Sequence, residues 1–201
     1  MIRYAVCIVS SPVRNGLAKV TKRRVIKQMS EFFYPPRRWV VMGVSGCGKS
    51  DIGQRLATAF GIPFVEGDAW HSAANVAKMG AGIALTDDDR AEWLATLRDQ
   101  IAQARASGTA MVLSCSSLKR RYRDLLREGD PDLFFVELDG PRALIEERMR
   151  ARKGHFMPTS LLDSQYRDLA PLQDDERGLR VQITGTPDAI VQTILAEISG
   201  R

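Results

Sequence analysis

The stretch Gly43-Val44-Ser45-Gly46-Cys47-Gly48-Lys49-Ser50 fits the pattern G-x-x-x-x-G-K-[ST]. It follows an apolar run, Trp39-Val40-Val41-Met42, and precedes a segment in which Ile52, Leu56 and Phe60 recur at helical spacing. A strand, a glycine-rich turn and a helix in that order form a loop that wraps phosphate, with backbone N–H groups turned inward and the positive end of the helix dipole facing the anion. In such a loop Lys49 reaches the β and γ oxygens of a nucleoside triphosphate and Ser50 ligates Mg²⁺. Residues Gly43, Val44, Ser45, Gly46, Cys47, Gly48, Lys49 and Ser50 are therefore the expected ATP-binding set. Cys47 has two readings: an inert buried filler, or a thiol acidified by the helix N-terminus whose modification would block ATP.

Outward from this loop the pattern alternates strand and helix. Apolar strand candidates at 39–42, 64–65, 110–113, 134–138 and 179–183 are separated by helical segments near 49–60, 71–79, 87–106, 118–128, 141–150, 159–169 and 187–198. Continuous apolar runs rather than period-two alternation mark strands buried on both faces. The expectation is an α/β fold of three layers around a five-stranded parallel sheet, the P-loop class of nucleotide-binding domain. A nucleotide hydrolase usually has an Asp at the end of the strand beside the first. Here Leu113 is followed by Ser114-Cys115-Ser116, which argues against a motor or switch ATPase and leaves Mg²⁺ to Ser50, phosphate, water and a carboxylate such as Asp68.

The 201 residues suit one domain, and no apolar run is long enough to span a bilayer. The net charge is +5, but residues 1–38 carry nine basic side chains against the single acid Glu31, so residue 39 onward has a net charge of −3. Basicity thus belongs to an N-terminal extension, 1–37, read as a disordered or artefactual segment preceding a domain at 38–201, with neither nucleic acid nor a membrane expected as partner. Cys7, Cys47 and Cys115 show no CxxC spacing, and His71 and His155 lie far apart. Neither a disulfide framework nor a zinc site is indicated, and a reducing cytoplasm is the expected setting.

Asp68 follows the second strand and is placed to emerge where open α/β sheets bind ligands. A carboxylate there can accept a proton from an acceptor hydroxyl or align it with the γ-phosphorus. The wider series Gly67-Asp68-Ala69-Trp70-His71, Asn75, Lys78-Met79, Asp87-Asp88-Asp89-Arg90, Trp93-Leu94, Cys115-Ser116-Ser117-Leu118-Lys119, Tyr122-Arg123-Asp124, Arg152-Lys153-Gly154-His155-Phe156-Met157 and Ser164-Gln165-Tyr166 resembles the gluconokinase family from Trp39 to the C-terminus. The resemblance implies an adenylate-kinase-like P-loop fold, ATP and Mg²⁺ as cofactors, phosphorylation of D-gluconate to 6-phosphogluconate, a cytoplasmic location and a homodimer.

On that footing Asp68, His71, Lys78, Arg90, Ser116, Lys119 and Arg123 are the acceptor-side candidates, and Lys49, Asp68 and Arg152 the catalytic ones. Arg148 and Arg152 belong to a basic lid near 148–158 that closes over ATP. Several have a plainer reading. Thr86 with Asp87, Asp88 and Asp89 makes a good helix start. Lys119 and Arg123, one turn apart, also fit a solvated stripe. Two alternatives stay open: a kinase of another small hydroxy acid such as a shikimate-like acceptor, and an ATP-binding regulatory or nucleic-acid-binding protein. Replacing Arg152 with Ala is expected to lower turnover far more than ATP binding; unchanged turnover in steady-state kinetics contradicts the lid assignment.

Overall fold

The computed structural model describes residues 37–151 and 161–200. The readings placed on residues 1–36, on Arg152 and on residues 153–158 lie outside them. The P-loop class expected from the sequence is the one observed. Strands β1 (Arg38–Met42), β2 (Phe64–Glu66), β3 (Met111–Ser114), β4 (Phe134–Asp139) and β5 (Gly178–Gln182) form one parallel sheet in the order β2-β3-β1-β4-β5. The helices are α1 (Lys49–Phe60), α2 (Ala73–Gly80), α3 (Asp87–Ala106), α4 (Arg120–Gly129), α5 (Arg142–Ala151), α6 (Leu162–Asp168) and α7 (Pro187–Ser199), with a short 3₁₀ turn at Gly67–Trp70.

Every residue of β1 is buried, because both faces of the sheet are covered. Its alternate side chains divide between two cores. Trp39 and Val41 join Ile52, Leu56, Ile190 and Ile194 beneath α1 and α7, whereas Val40 and Met42 join Trp93, Leu97, Ile101 and Leu126 beneath α3 and α4. Trp39 is wedged between Phe60 and Phe134 at ring centroid separations of 5.1 and 4.8 Å. The strand that feeds the glycine-rich loop is thus packed tightly on both faces. No helix among the described residues is long and apolar enough to cross a membrane.

One of the two helices that follow β2 begins differently from the sequence reading. α2 starts after Ser72, whose hydroxyl accepts from the Asn75 N–H at 3.2 Å; His71 precedes it in extended backbone. α3 begins as expected, with Thr86 and Asp89 forming a reciprocal capping box.

Arg123 corrects an expectation. Rather than facing an acceptor, its side chain is 0% exposed and forks onto Glu176, also 0% exposed, with Nε–Oε1 at 2.7 Å and Nη2–Oε2 at 2.6 Å. Its guanidinium also donates to the carbonyls of Ser117, Leu118 and Ala170. It therefore ties the β3–α4 loop to the segment after α6. Removing one partner of a buried pair strands the other charge and costs roughly 3–5 kcal/mol. Arg123→Ala should lower unfolding stability by about that amount in urea titrations, and a loss below about 1 kcal/mol contradicts the role.

Candidate active site

The loop 43–50 runs from the end of β1 into α1. Gly48 takes φ +102° at the helix N-cap, a left-handed conformation that L side chains disfavour, and no side chain caps the helix. The first-turn N–H groups are consequently left for an anion. Lys49 curls back so that Nζ donates to the Val44 carbonyl at 3.0 Å. The one acid of that turn, Asp51, pairs with Arg55 at 2.7 Å. Cys47 is 1% exposed and burial pushes its thiol up, with Lys49 only partly opposing, which favours a buried filler over an acidified thiol.

Ser45, Gly48, Lys49, Ser50, Glu66, Asp68 and Arg148 line a cavity of about 540 Å³. A second, narrower cavity adjoins it, lined by His71, Arg90, Trp93, Ser116, Ser164 and Gln165. Ser45, Lys49 and Asp68 belong to both. A third cavity, about 300 Å³, continues past Gly48 and Arg148 to Pro187 and Ile190. The loop therefore separates three connected compartments, and Asp68 stands where the first two meet.

Asp68 is delivered there by close backbone approach. A Cβ on Gly67 would lie 2.1 Å from the Ser114 carbonyl oxygen, so only glycine lets β2 turn this tightly over β3. The Gly67 N–H donates to Ser114 Oγ at 3.2 Å, and the Gly67 carbonyl accepts from Trp93 Nε1 at 2.8 Å. Trp93 also stacks on His71, with ring centroids 4.1 Å apart.

Glu66 was missed by the sequence reading. It pairs with Ser114 in the sheet, and the Ser114 hydroxyl donates to its carboxylate. A carboxylate absent from the end of β3 is thus supplied by the neighbouring strand. The available signal was period two: residues 66 and 68 flank Gly67 at the strand end.

Of the acceptor-side candidates, Asp68, His71, Arg90 and Ser116 are brought together and Arg148 faces the phosphate cavity. Lys78 and Lys119 line neither cavity. Lys78 pairs with Asp89 at 2.6 Å and holds that carboxyl down at about 2, while Lys119 lies between Asp87 at 3.0 Å and Asp168 at 3.2 Å. Both are committed ion pairs, and Arg123 is the buried tie already described. Arg90 does not reach for Asp68: its guanidinium donates to Tyr122 Oη at 3.3 Å and lies 3.7 Å from Asp168.

Among the described residues no group of three or more His, Cys, Asp or Glu side chains is placed to cage a metal. The cavity offers two hydroxyls, Ser45 and Ser50, and three carboxylates, Asp51, Glu66 and Asp68, of which Asp51 is already paired with Arg55. That donor set suits Mg²⁺ held largely by phosphate and water.

A family profile described as an AAA domain matches residues 39–172. The chain is 46% identical over 160 residues to the gluconokinase of Gluconobacter oxydans (strain 621H), covering 80% of this chain and 90% of that protein. Among solved structures, a gluconokinase from Sinorhizobium meliloti 1021 superposes with TM-score 0.75 at 46% identity, covering 82% of this chain and 93% of that one. An unliganded sugar kinase from Janibacter sp. HTCC2649 gives TM-score 0.78 at 44% identity, covering 82% and 95%.

Burial holds the His71 imidazole below its usual range, Asp68 opposing and Arg90 reinforcing, and Nδ1 is buried without a protein partner. His71 is accordingly a neutral hydrogen-bonding group at pH 7. An unfolded chain would protonate it near pH 6.5, so a cost to folding appears as the pH falls through that value and is absent above it. The melting-temperature advantage of wild type over His71→Gln should be larger at pH 7.5 than at pH 5.5; a constant difference contradicts a neutral imidazole.

Proposed function

Because the chain belongs to the gluconokinase family of P-loop kinases, we propose that it transfers the γ-phosphoryl group of ATP to the terminal hydroxyl of D-gluconate, giving 6-phosphogluconate. The observation that carries this reading is the common wall of Ser45, Lys49 and Asp68 between an anion cavity and a polar acceptor cavity that Arg90, alone among the arginines of the described residues, lines.

In this reading the first-turn amides of α1 hold the β-phosphate, and Lys49 leaves the Val44 carbonyl to bridge toward the γ oxygens. The base and ribose take the compartment between Arg148 and Pro187. Ser50, with Glu66 and Asp68 behind it, would hold Mg²⁺, which neutralises charge on the β and γ oxygens when bound.

The acceptor matches the chemistry of the cavity lining. Arg90 faces the carboxylate of gluconate, while neutral His71 and Ser116 hydrogen-bond its inner hydroxyls. Asp68 takes the far hydroxyl and aims its oxygen at phosphorus. A loose transition state demands little proton removal before bond formation, so Asp68 acts chiefly by alignment and receives the proton as the new bond forms. Arg148 supplies positive charge along the same wall.

A coupled assay of ADP release with D-gluconate and Mg·ATP tests the assignment. Asp68→Asn should lower kcat by roughly 10²–10⁴-fold with the KM for ATP little changed, and Lys49→Ala should abolish turnover. Full activity of Asp68→Asn, or turnover of shikimate in preference to gluconate in the same assay, contradicts the reading.

A further inference from the structure

Helix α6 touches both halves of the site and has no part in the mechanism so far. Gln165 Oε1 accepts a hydrogen bond from the Ser45 N–H at 2.6 Å, so the side chain of one helix holds the backbone of the phosphate loop. Three residues on, Asp168 lies 3.7 Å from Arg90 and 3.2 Å from Lys119. Residues three apart share a helix face, so one face of α6 grips the donor loop at one end and the acceptor arginine at the other.

The helix itself is firmly seated. Leu162 is 1% exposed within the core beneath the phosphate loop, and the Ala170 N–H just beyond the helix donates to the Leu118 carbonyl at 2.8 Å. Ser164 and Gln165 line the acceptor cavity, and Ser45 lines both cavities. The Gln165–Ser45 bond is therefore made at the wall through which the phosphoryl group must pass.

From this juxtaposition we infer that Gln165 is a positioning residue: acting through Ser45, it fixes the distance between the γ-phosphorus and the hydroxyl held at Asp68. The inference rests on the kinase reading above. Its chemistry accounts for the residue type. A carboxylate could accept from the same N–H group, but it would set a negative charge beside a triphosphate, whereas a carboxamide supplies the acceptor oxygen without charge. Asp168 contributes at the other end by orienting Arg90, with Tyr122 as its second support.

Misplacing reacting groups by about 1 Å costs on the order of 10²-fold in rate with little effect on binding. Gln165→Ala is therefore expected to lower kcat by roughly 10–100-fold while leaving each KM, for ATP and for D-gluconate, within about threefold. A merely structural role would instead lower the melting temperature and raise both KM values together, and that pattern overturns the inference, as does a kcat within twofold of wild type. Should Gln165→Ala fail to fold, Gln165→Glu keeps an oxygen for Ser45 and carries the test. A KM for ATP raised at least about fivefold is expected, and an unchanged KM and kcat overturn the idea. Wild-type protein that does not phosphorylate D-gluconate removes the acceptor assignment and this inference with it; an active wild type with an unaffected Gln165→Ala removes this inference alone.

Discussion

An uncapped helix N-terminus at the end of a fully buried strand is the constraint from which the rest of the molecule follows. Amides left without partners carry a standing demand for an anion, and they serve catalysis only if held still. β1 supplies the rigidity: it is covered on both faces, flanked by β3 and β4, and its alternate side chains anchor two separate cores. The loop 43–50 springs from the same sheet as Glu66 at the end of β2, and Asp68 follows in the 3₁₀ turn that Gly67 docks on Ser114 and Trp93.

The acceptor side is organised by charge pairs whose members are mostly spoken for. Asp87 receives hydrogen bonds from Tyr122, Lys119 and Arg121, which hold its carboxyl well below the usual range. Asp168 engages Lys119 and Arg90, and Glu176 engages Arg123. Many basic residues crowd this region, yet only Arg90 among those on α3 and α4 lines the acceptor cavity. One arginine on that side, with Lys49 at the phosphate wall, suits a substrate with one carboxylate better than a field of unpaired lysines would, because each unpaired charge would draw in competing anions.

Much of this was readable in the sequence. The central strands β1, β3 and β4 showed as apolar runs because the sheet buries both their faces, the edge strand β5 showed by alternation, and the phosphate loop showed because its glycines and Lys49-Ser50 meet a strand and a helix. Asp68, His71, Arg90 and Ser116, read from their places after strand ends or at a helix start, line the two cavities. Lys78, Lys119 and Arg123 were misplaced for one physical reason. A basic residue on a helix looks the same in sequence whether it faces a ligand, pairs with Asp89 or Asp87, or is buried against Glu176. Its partner lies far along the chain, 53 residues away for Arg123. Gln165 stood in the sequence only as part of the Ser164-Gln165-Tyr166 motif, without a role, since its contact with Ser45 spans 120 residues.

The most direct measurement is a crystal structure of the protein with a non-hydrolysable ATP analogue, Mg²⁺ and D-gluconate bound together. The account predicts the β-phosphate on the first-turn amides of α1 and one gluconate hydroxyl about 2.6–3.2 Å from the Asp68 carboxylate, facing the terminal phosphorus. Gluconate bound away from Asp68, with another side chain nearest the phosphorus, would contradict it.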